Sequence, residues 1–276
     1  MRAPQSRTKG VSGEREERAC EPRCRERKAI QLTGAPLVLA SHGSRDPRSA
    51  ATMVRLARRV RAHWPGPVVA AFLDFNMPSI PDTLRVLAPI GRTPIVVPML
   101  LTSAYHGRVD LPAVLAEAGA SRLAPVLGPG GPGEAPDPLL MAALRRRLSE
   151  LDTGAASTPE PADGLVLIAA GTSHAPARST VDAVAAGLDL PCVVGYASAS
   201  GPTAGEAVEA VRAMGARRIL VASYFLAVGR LYEAAAASAR AAGATGVAEP
   251  LGDAEELVRL IVARAQSVAD RELIAA

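Results

Sequence analysis

Apolar residues fall along this chain in two kinds of run, short unbroken ones and longer ones with apolar positions three and four apart, and the two kinds alternate. Leu37 to Ala40, Val68 to Leu73 and the nearly unbroken Ile95 to Leu101 are of the first kind, with the length and composition of strands buried on both faces of a parallel sheet. Between the first two lies a helix that opens at Asp46-Pro47. There an acidic cap precedes a proline placed where its missing N–H costs nothing. Its apolar positions are Ala50, Met53, Val54, Ala57 and Val60; Arg55, Arg58, Arg59 and Arg61 fall mostly off that stripe and read as a solvated face. The pattern predicts a second helix from Ser79 to Ile90 closed by Gly91, a third from Asp110 to Ala118, a strand from Leu123 to Leu127 and a helix from Pro138 to Leu151.

The same order returns in the second half. LVLASHGSRDP at Leu37 aligns with LVLIAAGTSHA at Leu165, an offset of 128 residues. Pro78 aligns with Pro202, Gly91 with Gly215, Leu101 with Leu226 and Leu127-Gly128 with Leu251-Gly252. The stretch 152–164, DTGAASTPEPADG, has linker composition. The expected architecture is therefore α/β: two tandem Rossmann-like lobes, residues 34–151 and 165–276, each a mainly parallel four-stranded sheet flanked by helices, with a cleft between them.

Charge changes the picture only at the N-terminus. The net charge of +4 resides in residues 1–33, which hold nine Lys/Arg and five Glu; the remainder, 22 basic and 22 acidic, is neutral. Those 33 residues have little to bury and read as a disordered basic tail rather than a nucleic-acid-binding element. Cys20 and Cys24 lack a second pair for a zinc site, and with Cys192 they make no disulfide framework. No apolar run approaches the roughly 18 residues that span a bilayer, so the chain reads as cytoplasmic, with no membrane partner. The glycines of GPGGPGEAPDP, residues 128–138, are interrupted by prolines and lack a following Gly-Lys-Ser/Thr, so they form no phosphate cradle.

Three chemically capable side chains occupy equivalent places in the first half. His42 follows the first strand, Asp74 the second and His106 the third, each 32 residues from the next. In a parallel sheet all three emerge at the carboxyl edge, where open α/β folds bind ligands. Two imidazoles and a carboxylate can hold a divalent first-row metal or accept protons near neutral pH. His63, beside Trp64 at a helix end, reads as structural.

Around these residues ASHGSRDP, FLDFNMPSI and VVPMLLTSAYHGRVDLP resemble the sirohydrochlorin chelatases, the CbiX-type class II tetrapyrrole chelatases. The likeness is strong over residues 36–118 and weaker beyond. It implies that His42 and His106 face the metal and the tetrapyrrole, and that Asp74 stands where the family has glutamate, one methylene longer. It also implies a substrate with eight carboxylates, for which Arg45, Arg48 and Arg108 are candidate partners, with Tyr105 against the macrocycle. The metal is then a substrate and not a prosthetic group: Fe²⁺ for siroheme is favoured over Co²⁺ for cobalamin, with Ni²⁺ a third choice.

In the second half Ala170, Ser198 and Leu231 replace His42, Asp74 and His106, so one site per chain is expected. The second lobe would close the cleft, contribute Arg230 and take the part of a dimer partner, leaving a monomer. His174 aligns with Asp46 and is either a second cleft residue or a turn residue. Two other readings are a metal or tetrapyrrole carrier on the same scaffold and a histidine phosphatase. The second is disfavoured by Ser41, which stands where those enzymes place a phosphate-holding arginine.

Overall fold

The computed structural model describes residues 34–102, 111–118, 121–151, 162–198 and 201–269. The basic tail, most of the linker and the segment carrying Tyr105, His106 and Arg108 lie outside these residues.

The first repeat runs β1 (Leu37–Ser41), α1 (Pro47–Val60), β2 (Val68–Phe72), α2 (Ile80–Leu87), β3 (Ile95–Pro98), α3 (Leu111–Ala118), β4 (Arg122–Leu123) and α4 (Pro138–Ser149). The second repeats it as β5 (Gly164–Ala169), α5 (Ala175–Ala186), β6 (Cys192–Tyr196), α6 (Ala204–Ala213), β7 (Ile219–Tyr224), α7 (Arg230–Ala241), β8 (Gly246–Val247) and α8 (Glu255–Ala269). The sheet orders are β2-β1-β3-β4 and β6-β5-β7-β8, every pairing parallel.

Local chemistry sets the ends. Asp46 accepts the Arg48 N–H and Ser79 the Asp82 N–H, each with proline in the first turn. Thr203 and Glu206 form a reciprocal capping box on α6. Proline shortens three expected elements. Pro89 cannot continue α2, which gives way to a 3₁₀ turn over Ala88–Ile90 that ends at Gly91 with φ +74°. The β3 ladder stops at Pro98 and β4 stops before Pro125, so neither reaches the leucines expected to close it, Leu101 and Leu127. In α1 the buried stripe is Met53, Leu56, Ala57 and Val60, with Val54 turned outward.

The repeat is exact in its joints. The Phe72 N–H donates to Pro78 O at 3.0 Å and the Tyr196 N–H to Pro202 O at 2.8 Å. The Leu127 N–H donates to Leu100 O at 3.0 Å and the Leu251 N–H to Phe225 O at 2.8 Å.

Packing, however, does not respect the linker. Alternate strand residues face two ways. Val38, Ala40 and Val96 lie against α2 and α3 outside the first sheet, and Val166, Ile168 and Val221 against α6 and α7 outside the second. Leu37, Leu39, Ile95, Val97, Leu165 and Leu167 face a single core between the sheets, filled by α1, α4, α5 and α8. Within it the terminal helices are exchanged: α4 packs on β7, α8 packs on β3, and the two pack on each other. The described residues thus form one compact unit, and 152–164 is a boundary between sequence repeats, not between separately packed bodies. Gly164 already belongs to β5.

Candidate functional site

The carboxyl ends of the two sheets converge on one groove. Its inner part, a cavity of about 310 Å³, is lined by Ser41 and His42 at the end of β1, Met99 to Thr102 after β3, and from the second repeat by Ala169 to Thr172, Tyr196 and Tyr224 to Ala227. Its outer part, about 440 Å³, shares Ser49, Ala170, Phe225 and Ala227 with the first and adds Gly43, Ser44, Arg45, Phe75 and Val228 to Tyr232. Each wall is one repeat's strand-end loops, as parallel topology requires. A larger cavity, about 630 Å³, lies between α2 and α3 and is lined by Arg85, Arg92 and Glu117 among others, with no histidine or cysteine.

His42 is held at the inner cavity by contacts between loops. Its carbonyl accepts the Asp74 N–H at 2.9 Å, and Asn76 Oδ1 accepts the Ser44 N–H at 2.8 Å. Gly43 adopts φ +93°, and a Cβ there would collide with the carbonyl oxygen of Asp74. Gly171 adopts φ +99° and meets Ser198 in the same way. This shared close approach confirms that His42 corresponds to Ala170 and Asp74 to Ser198; Leu231 faces the outer cavity, while its counterpart His106 lies outside the described residues.

The remaining expected residues separate. Arg45 and Arg230 line the outer cavity from opposite repeats. Arg48 is engaged elsewhere: its guanidinium pairs with Asp46 and with Glu233 of α7, both at 2.6 Å, and these carboxylates hold its pKa above the ordinary arginine value. Asp74 is exposed and borders neither cavity, and its Oδ1 accepts the Phe75 N–H at 2.8 Å. His174 is the exposed N-cap of α5, the counterpart of Asp46, and lines neither cavity. His63 lies 3.8 Å from Glu255, away from the groove. Among the described residues no three of His, Cys, Asp and Glu gather as a metal cage.

Sequence reasoning did not single out three aromatic residues. Tyr196 and Tyr224 end β6 and β7 and line the inner cavity; burial pushes both phenols above their ordinary range, so they stay neutral, and the Tyr224 hydroxyl donates to Leu101 O at 2.6 Å. Their positions follow from the repeat, as counterparts of Phe72 and Met99. Phe75 stands between His42, whose ring centroid is 6.1 Å away, and the Arg45 guanidinium, 5.2 Å from its centroid.

Comparison with known proteins agrees with this architecture. The CbiX family model matches residues 36–151 and again 164–268. Sirohydrochlorin cobaltochelatases of Methanocaldococcus jannaschii and Methanococcus maripaludis are 36% and 32% identical to this chain over 81 residues, 29% of it. The chain spans about half the length of these curated relatives, 57% and 56%. In three dimensions it resembles SirB from Bacillus subtilis with Fe³⁺, with a TM-score of 0.68 and 19% identity over 87% of this chain and 97% of that one. It also resembles a CbiX described as the terminal enzyme of siroheme biosynthesis in denitrifying bacteria, with a TM-score of 0.60 and 20% identity over 84% and 98%. With the family model satisfied once by each repeat, the chain belongs to the CbiX family.

Proposed function

We propose that this chain is a chelatase that inserts Fe²⁺ or Co²⁺ into sirohydrochlorin, with the groove between the two sheets as its single active site. The observation that carries this reading is the asymmetry of the groove: His42 faces it from the first repeat, and the equivalent place opposite is Ala170. An apolar, neutral inner cavity suits a flat macrocycle, and one chemically active wall suits delivery of a metal to one of its faces. The named activities of the curated relatives support the same substrate.

Insertion replaces two pyrrole N–H protons by the metal, so the site needs a base beside a loosely held ion. In this proposal His42 and His106 serve as metal donors and proton acceptors. Neutral imidazole can do either, and nitrogen donors accept both Fe²⁺ and Co²⁺. Arg45 and Arg230 hold substrate carboxylates from opposite repeats, Arg108 adds a third cation, and Tyr105 packs on the macrocycle. Arg48, committed to Asp46 and Glu233, is left out of the binding set. Asp74, which borders neither cavity, is left out of the metal set and shapes the turn at Phe75. The second repeat supplies the wall that a partner chain would otherwise provide, so the working form is a monomer.

Anaerobic incubation with sirohydrochlorin and Fe²⁺ or Co²⁺, followed by absorbance, tests this directly. The wild-type chain should accelerate insertion of one or both metals, and cells lacking it should lose siroheme-dependent sulfite or nitrite assimilation if Fe²⁺ is the physiological choice. His42→Ala should abolish the acceleration with an unchanged melting temperature. Tight macrocycle binding without acceleration would make the protein a carrier instead.

A further inference from the structure

Phe75 is the one non-glycine residue with positive φ among those described, at +62°. For an aromatic side chain this is a costly backbone state, and such states persist where surrounding contacts enforce them. The contacts are visible. The residue before it, Asp74, accepts the Phe75 N–H, and Asp74 is itself tied by its own N–H to His42 O. The residue after it, Asn76, accepts the Ser44 N–H and donates its own N–H to Asp74 O at 2.7 Å.

The result is a large apolar side chain left 49% exposed at the mouth of the groove. Packing of the core does not account for it. Its ring instead meets two polar groups. The His42 ring is perpendicular to it, at an interplanar angle of 89°, an arrangement favoured by the aromatic quadrupole. The Arg45 guanidinium lies over the ring, where that quadrupole attracts a cation. A single side chain thus sits between the imidazole of the inner cavity and a guanidinium of the outer one.

The geometry points to Phe75 as a positioning residue that fixes the spacing between His42 and Arg45, and so registers a polycarboxylate macrocycle against the group that delivers metal to it. This rests on the chelatase reading for its substrate. Its physical content, one ring setting two side chains, is independent of that reading.

Two measurements separate these. In the free protein, Phe75→Leu should loosen both the His42 imidazole and the Arg45 side chain, lowering their NMR order parameters; if either keeps its wild-type value, the positioning role is overturned, whatever the protein catalyses. In the insertion assay, Phe75→Leu should lower kcat/KM about tenfold with the fold retained, and Phe75→Tyr, which keeps the ring, should restore most of the loss. Coupling is the sharper readout. Arg45→Gln should raise KM severalfold in the wild-type background and have almost no further effect in Phe75→Leu, because the ring that places the guanidinium is already gone. Equal effects of Arg45→Gln in both backgrounds would show that Phe75 and Arg45 act separately and would overturn the proposal. A wild-type chain that fails to insert metal would sink the chelatase reading while leaving the NMR result to decide the role of Phe75.

Discussion

Two glycines carry the same backbone burden with different chemical consequences. Gly43 and Gly171 both have positive φ, and both would drive a Cβ into the next loop's carbonyl. Alanine at either position should therefore cost about 1–3 kcal/mol, read as a similar fall in melting temperature. Activity should separate them. Gly43→Ala displaces the loop that holds His42 and should cut insertion by about an order of magnitude or more, whereas Gly171→Ala disturbs the wall without the histidine and should cost far less. Equal losses would contradict a one-sided site. The buried tyrosines set a pH limit. Tyr196, Tyr224 and Tyr232 have raised pKa values, chiefly from burial. A raised acid contributes stability that is fully present below its unfolded pKa, about 10, and declines as pH rises beyond it. Thermal stability should accordingly fall above about pH 10, and Tyr224→Phe should flatten that fall. The same variant should cost about 1 kcal/mol at neutral pH, since it removes the bond to Leu101 O.

Elements were legible in the sequence to the extent that local chemistry decides them. Asp46-Pro47 and Ser79 mark helix starts in the sequence and cap helices in the structure; the capping box of Thr203 and Glu206 emerged with the structure. The prolines that cut short α2, β3 and β4 are equally visible in the sequence, but apolar residues continue beyond Pro98 and Pro125 and mask the strand ends. An amphipathic stripe states that a face is buried but not against what, and that limit hid the exchange of α4 and α8. Leu144 of α4 and Ile261 of α8 are fully buried in the shared core. Leu144→Ala and Ile261→Ala should each destabilise the chain by about 2–5 kcal/mol. Because each helix serves the other repeat's sheet, both variants should still melt in one calorimetric transition, with equal calorimetric and van't Hoff enthalpies. Two separated transitions would show that the repeats fold independently. Residues 34–151 alone would lack the α8 cover on β3 and should not reach the native sheet.

At the scale of the molecule the repeats are joined mainly by apolar burial. Ion pairs also cross between them, Arg48 with Glu233, Arg59 with Glu255 and Arg145 with Asp189, but their partners are partly exposed and screened. Raising ionic strength should therefore leave the melting temperature nearly unchanged while weakening sirohydrochlorin binding, which depends on cations at the groove mouth. Titration of the whole chain should saturate at one macrocycle per chain; saturation at two would mean that the second repeat has a site of its own.

The sequence by itself determined the alternation of strand and helix, the repeat with its register, and the asymmetry between His42 and Ala170. These depend on residue type and spacing, which the chain carries locally. Tertiary structure alone decided which cations remain available to a ligand, because the 185-residue separation between Arg48 and Glu233 leaves no local trace of their pairing. It likewise decided that Asp74 turns to the backbone of Phe75, and that Phe75 stands between an imidazole and a guanidinium. The exchange of α4 and α8 belongs with these. Each is a choice of partner among chemically similar surfaces, and only the folded arrangement of loops and faces makes that choice.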